Sequence, residues 1–244
     1  MKTGFLALLW LLPAPAVAAP VQSVELHHEL LLPAGTTGKV VALTLDACGG
    51  GFDAGLANFL IEHRVPATIF VTRRWIRRNP DALAVLMAHA DLFEIEDHGA
   101  NHIPSIIGLD RQVYGLAGVA DMKQLRREVS GGAEAVRAAT GIPPRWYRGA
   151  TGEYDPEALV AIEKMGYKVA GFSVNADDGA TLSQKRIVGR LKKVRSGDII
   201  IAHVNKPASD TGKGMAQGLQ LLIDRGFRFV KLNDSEVRPP QKRI

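Results

Sequence analysis

Seven short apolar runs with the composition of strands recur along the chain, separated by helical patterns. The runs cover residues 40–45, 67–71, 92–96, 145–148, 168–173, 198–203 and 227–232. Asp53, Asn79 and Asp155 stand where helices begin, and Gly141 and Gly166 stand where they end. Strands that alternate with helices favour parallel pairing, so the pattern predicts an α/β fold. Seven such units in one domain favour a barrel-like closure, with an open doubly wound sheet as the alternative.

The first residues have the order of a secretory signal peptide. Lys2 precedes an apolar run over residues 5–12, and small residues follow, which predicts a signal peptide over residues 1–18. No later segment supplies about 20 uninterrupted apolar residues. We therefore expect an exported protein, periplasmic or secreted, without stable membrane insertion. The remaining chain divides into an N-terminal extension (19–37), one domain (38–233) and a frayed basic tail (234–244).

Charge and cysteine content restrict the partners and the source of stability. Cys48 is the only cysteine, so no intramolecular disulfide can form and core packing must stabilise the fold. The net charge of +5 permits attraction to an acidic cell-wall polymer. Export argues against nucleic acid as a partner.

The longest helical pattern carries an apolar stripe that two glycines interrupt. Gly131 and Gly132 each weaken a helix by roughly 1 kcal/mol relative to alanine, so we expect a break or close packing there. The stripe consists of Met122, Leu125, Val129, Ala133 and Val136.

Polar residues follow the ends of five predicted strands. They are Asp46 after the first strand, His98 and His102 after the third, Arg148 at the end of the fourth, Asp177 and Asp178 after the fifth, and His203 at the end of the sixth. The C-terminal ends of parallel strands share one face of a barrel, so these side chains should converge. His98 and His102 are four residues apart and would point the same way on one helical turn, where they could bind one metal ion.

These segments resemble the NodB-homology polysaccharide deacetylases, carbohydrate esterase family 4, over residues 38–233. Thr-Leu-Asp-Ala-Cys at 44–48 stands where the family has Thr-Phe-Asp-Asp-Gly, and 98–102 matches its His-x-x-x-His metal motif. Arg-Gly-Ala-Thr-Gly at 148–152 stands where an Arg-Pro-Pro-Tyr-Gly segment is usual. Asn-Ala-Asp-Asp-Gly at 175–179 is similar to its Asp-x-x-Asp-Trp segment, and Ile-Ala-His at 201–203 matches its Leu-x-His.

The resemblance implies a distorted (β/α)7 barrel of the NodB type and a metal-dependent hydrolase. Its substrate would be an N-acetylated amino-sugar polymer or oligomer, such as chitin, poly-N-acetylglucosamine or peptidoglycan, and its metal a divalent ion, with zinc expected. Asp46 would act as base and His203 as acid, oriented by Arg148 and by Asp178 or Asp177. The alternatives are a hydrolase of another non-peptide C–N bond and a catalytically inactive glycan-binding protein.

Ala47 departs from the family, because the second Asp of the family motif is a metal ligand. Two histidines alone would bind the ion weakly, since catalytic zinc sites normally have three protein ligands. We therefore predict that His98, His102 and Asp46 hold the metal. Asp46 would then be both ligand and base, or would leave the base role to Asp177 or Asp178. Cys48 is a lower-ranked thiolate ligand, and Asp53 is assigned to a helix N-cap.

Overall fold

The structure is a computed structural model that describes residues 22–240. The predicted signal peptide, residues 1–18, lies outside the described residues. Within this range, no helix is both long and apolar enough to cross a bilayer.

Strands and helices alternate along the chain as the sequence pattern predicts. The helices are α1 (Ala54–Glu62), α2 (Arg73–Arg78), α3 (Pro80–Ala88), α4 (Met122–Thr140), α5 (Pro156–Lys164), α6 (Gln184–Leu191) and α7 (Thr211–Asp224), with a 3-10 turn at Leu232–Asp234. The strands are β1 (Val24–Glu25), β2 (Glu29–Leu30), β3 (Lys39–Ala47), β4 (Ala67–Val71), β5 (Phe93–Asp97), β6 (Pro104–Ser105), β7 (Gln112–Val113), β8 (Leu116–Ala117), β9 (Trp146–Tyr147), β10 (Ala150–Tyr154), β11 (Lys168–Val169), β12 (Val174–Asn175), β13 (Ile199–His203), β14 (Phe227–Val230) and β15 (Val237–Arg238).

The long strand β3 organises the main sheet. Eight of its nine residues are buried, as expected for a parallel strand that is covered on both faces. It pairs in parallel with β4 on one edge and with β13 on the other, and β14 pairs with its first half.

The parallel sheet curls toward closure. Its strand order is β11-β9-β5-β4-β3-β13-β12. The two edge strands, β11 and β12, are joined only by residues 170–173, a link that can span about 18 Å at most. The edges therefore approach each other, and the predicted distorted barrel is confirmed over the open sheet. The predicted fifth strand, 168–173, is instead divided, because β11 pairs with β9 whereas β12 pairs with β13.

Alternating side chains of β3 serve two apolar layers. Val41, Leu43, Leu45 and Ala47 belong to the cluster that includes side chains of the outer helices. Val40 and Ala42 belong to a second cluster, formed with Phe70, Trp146, Ile199 and Ile201. Thr44 and Asp46 follow in the same alternation as Val40 and Ala42. Polar side chains thus continue that face toward the C-terminal end of the strand.

The segments before and after the barrel pair with each other. β2 and β15 are antiparallel, and the Leu31 amide donates to the Glu236 carbonyl oxygen at 2.7 Å. The prediction of a frayed tail over 234–244 is therefore wrong for Val237–Arg238. The predicted extension, 19–37, also contributes β1, which pairs antiparallel with β10.

Helix α4 continues through both of its glycines. Leu125, Val129, Ala133 and Val136 of the predicted stripe are buried, which confirms its orientation. A Cβ atom added at Gly132 would lie 2.6 Å from the carbonyl carbon of Gly99. Close packing against the loop after β5, and not a helix break, explains a glycine here.

This packing predicts opposite effects for two glycine substitutions in helices. We expect Gly132→Ala to lower the free energy of unfolding by roughly 1–3 kcal/mol, because the methyl group overpacks a tight contact. Gly189→Ala in α6 has no atom within 4 Å of the added Cβ and should raise it by up to about 1 kcal/mol through helix propensity. Urea unfolding of both variants tests this, and equal effects would contradict the packing argument.

Candidate functional site

The structure brings most of the predicted site residues to one end of the sheet. Asp46 lies at the end of β3 directly opposite His203 of β13, and β5 ends at Asp97, next to His98. Arg148 directly follows β9. These positions meet because neighbouring parallel strands end at the same face.

A buried ion pair joins Arg148 to Asp46. Arg148 Nη1 donates to Asp46 Oδ1 and to Thr44 Oγ1, both at 2.9 Å. The Arg148 side chain has no exposed surface, and its guanidinium lies 4.3 Å from the centre of the Phe70 ring. Burial raises the pKa of Asp46, but the charges of Arg148 and His98 outweigh that effect, so its pKa is lowered. Asp46 is therefore held as a carboxylate.

The His98 ring is fixed by the main chain of the same arginine. His98 Nδ1 lies 2.7 Å from the Arg148 carbonyl oxygen. A carbonyl oxygen only accepts hydrogen bonds, so Nδ1 carries the hydrogen and Nε2 faces the site. Nε2 lies 3.3 Å from Cys48 Sγ and 3.7 Å from Asp46 Oδ2. Burial lowers the pKa of His98, but Asp46 and Cys48 raise it more, to about 9.

Cys48, His98 and His102 form the group of donor atoms best suited to a metal ion. One ligand atom from each lies within 4.8 Å of the others. The His98 and His102 rings are 4.9 Å apart at an angle of 72°. The predicted helical turn is wrong, because residues 98–103 form a loop in which His102 has a φ of 64°. The two imidazoles nevertheless come together as predicted.

Asp46 is not part of this group of three donors. Its Oδ1 atom accepts from Arg148 Nη1, and its Oδ2 atom lies 3.7 Å from His98 Nε2. Burial raises the pKa of the Cys48 thiol, but the charge of His98 and hydrogen bonds with His102, His203 and His98 hold the pKa well below its usual value. Three imidazoles thus surround one sulfur atom.

His203 is held by Asp177 and not by Asp178. His203 Nδ1 lies 3.0 Å from Asp177 Oδ1, and Asp177 Oδ2 accepts from the His203 amide at 2.9 Å. Asp177 also accepts from Thr211 Oγ1. Burial lowers the pKa of His203, but Asp177 and Cys48 raise it well above its usual value.

The prediction for Asp178 is corrected accordingly. Its side chain is 55% exposed, and its nearest charged partner is Arg190 at 3.9 Å. Asp178 has a φ of 53° and its amide donates to Asn175 Oδ1, so the turn directs the two adjacent carboxylates differently. Sequence alone left Asp177 and Asp178 as alternatives, because only this local turn distinguishes them.

An open cavity of about 320 Å³ lies over the metal-type group. Cys48, His102 and the glycines at 49–50 form one part of its lining, and Arg74 and Lys206 add two cations. Of the four arginines in α2, only Arg74 is in this lining. Asp53 is confirmed as an N-cap, since its side chain accepts from the Leu56 amide at 2.9 Å.

Comparisons with known proteins agree with the family resemblance and with the fold. A family model described as polysaccharide deacetylase matches residues 34–170. A chitooligosaccharide deacetylase of Bradyrhizobium sp. (strain ANU 289) is 28% identical over 156 residues, which are 63% of this chain and 64% of that relative. A chitooligosaccharide deacetylase of Sinorhizobium fredii is 26% identical over 207 residues, which are 79% of this chain and 90% of that relative. The chain thus spans just under two thirds of the first relative's length.

Solved structures of low sequence identity share the fold. A peptidoglycan N-acetylglucosamine deacetylase matches with a TM-score of 0.68 and 20% identity over 85% of this chain and 92% of that chain. A CE4 family pseudoenzyme from Bacillus anthracis matches with a TM-score of 0.64 and 21% identity over 81% of this chain and 65% of that chain.

The different placement of the two adjacent carboxylates predicts different effects on His203. Asp177→Asn should lower the pKa of the His203 imidazole, because it removes the carboxylate that favours the imidazolium form. Asp178→Asn should leave that pKa unchanged. Titration of both variants by NMR after isotopic labelling of histidine measures this directly. A shift caused by Asp178→Asn and absent from Asp177→Asn would refute the assignment.

Proposed function

Because the chain belongs to the polysaccharide deacetylase family, we propose that it removes N-acetyl groups from an amino-sugar polymer or oligomer by metal-dependent hydrolysis. One observation carries the proposal. The Asp46–Arg148 ion pair lies beside His98, whose ring contacts that of His102, and the hydrogen-bonded His203–Asp177 pair lies on the neighbouring strand end. The names of the chitooligosaccharide deacetylase relatives support a substrate that contains N-acetylglucosamine.

The residues present fit a divalent cation, and zinc is the ion we expect. The Arg148 carbonyl oxygen directs His98 Nε2 toward Cys48 Sγ and Asp46 Oδ2, as backbone carbonyl oxygens commonly orient metal-binding histidines. When bound, the ion would polarise the acetyl carbonyl and lower the pKa of a water molecule.

Asp46 would accept the proton of the attacking water. Arg148 holds Oδ1, so Oδ2, which lies 3.7 Å from His98 Nε2, is the oxygen oriented toward the imidazoles. The guanidinium keeps Asp46 ionised and in one orientation, although it also makes the carboxylate a weaker base. Arg148 is therefore a positioning residue for Asp46.

His203 would protonate the departing sugar nitrogen. Its Nδ1 is bound to Asp177, which leaves Nε2 as the atom that can reach a substrate. Asp177 stabilises the imidazolium form, so that a proton is available when the C–N bond breaks. Loss of that proton to the amine completes the hydrolysis, with acetate as the other product.

The cations beside the cavity bear on the choice of polymer. Arg74 and Lys206 line the space next to Cys48 and His102. They would attract a glycan that carries acidic groups, so peptidoglycan belongs among the substrates to be tested beside neutral chitin oligomers. Such polymers lie outside the cytoplasm, which agrees with the export predicted from residues 1–18.

A catalytically inactive glycan-binding protein is the second candidate. It is favoured by Ala47, which stands where the family has a metal-binding Asp, and the CE4 pseudoenzyme shares the fold. Catalysis is favoured by the retained polar groups. Asp46 keeps its buried partner Arg148, and His203 keeps its buried partner Asp177. Hydrolysis of another non-peptide C–N bond would use the same groups.

Acetate release separates these functions. We expect the zinc-loaded protein to release acetate from N-acetylglucosamine oligomers, chitin or peptidoglycan, and to lose this activity after treatment with a chelator. Restored activity on addition of zinc would complete the control. Glycan binding without metal uptake or turnover would instead favour the inactive binder, and metal uptake without acetate release from any of the three would favour a different substrate.

Substitution of His203 tests whether this residue donates a proton or binds the metal. His203→Ala should lower kcat on the order of 10²–10⁴-fold, as expected for loss of a general acid, while the bound metal remains. His98→Ala should lose the metal as well. Turnover and metal content are measured on the same samples, and equal loss of metal in both variants would contradict the proposed role.

A further inference from the structure

We propose that Cys48 replaces the missing carboxylate as the third metal ligand, so that the ion is held by one thiolate and two imidazoles. This inference rests on the metal dependence in the proposed function. It differs from the ligand set expected from the sequence, in which Asp46 completed the site.

The spacing of the donors suits one ion. With Zn–S and Zn–N bonds of about 2.3 and 2.0 Å, a tetrahedral site separates sulfur from nitrogen by about 3.5 Å. Cys48 Sγ and His98 Nε2 are 3.3 Å apart, and the donors of Cys48, His98 and His102 all lie within 4.8 Å of one another. Small side-chain adjustments would place all three around one centre. The open cavity that Cys48 and His102 line adjoins these donors and would give water or substrate access to a bound ion.

The alternation of side chains in β3 explains why position 48 supplies the ligand. Ala47 is fully buried and belongs to the apolar cluster of Leu43 and Leu45. Cys48 directly follows the strand, and its Sγ and Asp46 Oδ2 lie 3.3 and 3.7 Å from His98 Nε2, so both side chains face the same imidazole. In this chain the side chain of Ala47 therefore faces the apolar layer, and Cys48 is the residue next to it whose donor atom lies beside His98 and His102.

The contacts of Asp46 favour a separate ligand. Arg148 binds Asp46 Oδ1 at 2.9 Å in a buried pair, and neutralisation by the guanidinium reduces the attraction of this carboxylate for a cation. Among the described residues, the hydrogen-bond partners of Cys48 Sγ are imidazoles, and none is a lysine or an arginine. In the proposed site, Asp46 is therefore the base and Cys48 the metal ligand.

A thiolate ligand also restricts the kind of metal. Sulfur with two imidazole nitrogens favours zinc and similar borderline ions, whereas magnesium, calcium and manganese prefer oxygen ligands. We therefore expect zinc or cobalt to bind much more tightly than magnesium or manganese. Binding must displace any proton on the thiol, since the thiolate is the ligand form.

Cysteine as a nucleophile is the competing role for the same atom. His203 and Asp177 stand behind Cys48 in an arrangement that could activate a thiol. That role leaves His98 and His102 without a function and makes the Asp46–Arg148 pair redundant. The metal role uses all of these groups.

Cobalt substitution reports the thiolate directly. The cobalt(II) form of the unmodified protein should show the intense near-ultraviolet charge-transfer band of a cobalt–thiolate bond. Cys48→Ala should lose this band. It should also bind the metal at least about 10–100-fold more weakly, because loss of a residue that only orients a ligand already has an effect of this size. Cys48→Asp should retain cobalt without the band. His203→Ala is the matched control. The His203 imidazole also contacts the Cys48 sulfur atom, but it is not a proposed ligand, so the variant should retain both the band and the metal.

The outcomes separate this inference from the proposed function. A cobalt form without the band, or unchanged metal affinity in Cys48→Ala with folding verified by circular dichroism, would overturn thiolate ligation. An acetyl adduct on Cys48 detected by mass spectrometry in turnover samples would assign the nucleophilic role instead. If the band is present but no glycan releases acetate, the ligand assignment holds and the proposed reaction fails.

Discussion

The buried guanidinium of Arg148 is the interaction on which both halves of the site depend. Its side chain binds Asp46, Thr44 and the carbonyl oxygens of residues 170–171, where the two edges of the sheet approach each other. Its own carbonyl oxygen holds His98. Removal of one partner from such a buried pair typically costs about 3–5 kcal/mol, because the other charge is left uncompensated. Arg148 therefore contributes both to the proposed catalytic site and to the closure of the sheet.

The sequence was sufficient for the architecture because its signals extend over whole elements. Alternating strands and helices predicted the parallel sheet, and the ends of those strands predicted which residues would converge. The choice between Asp177 and Asp178 depended on a one-residue difference in direction at a strand end, and the proposed choice between Asp46 and Cys48 rests on the contact of Asp46 with Arg148. Hydrophobic periodicity carries no information about a turn with φ of 53° at Asp178, or about which carboxylate a distant arginine will bind.

The frayed tail was predicted wrongly for a related reason. Val237–Arg238 is only two residues long, and its pairing with Glu29–Leu30, more than 200 residues earlier, gives it a defined conformation. The divided fifth strand likewise follows from partners, since β11 and β12 pair with opposite edges of the curled sheet. Long-range pairing overrides local composition in both segments.

The loop that carries the two histidines is held in place before any ligand binds. Glu128 of α4, itself buried, accepts hydrogen bonds from the amides of Asn101 and Ile103 at 2.7 and 3.2 Å. Gly132 packs on the same loop from one turn further along the helix, and the Arg148 carbonyl oxygen fixes His98 from the other side. Because helix and sheet already restrain the loop, little conformational entropy remains to be lost when a cation binds. A site with a substituted third ligand can therefore keep the geometry that its chemistry requires.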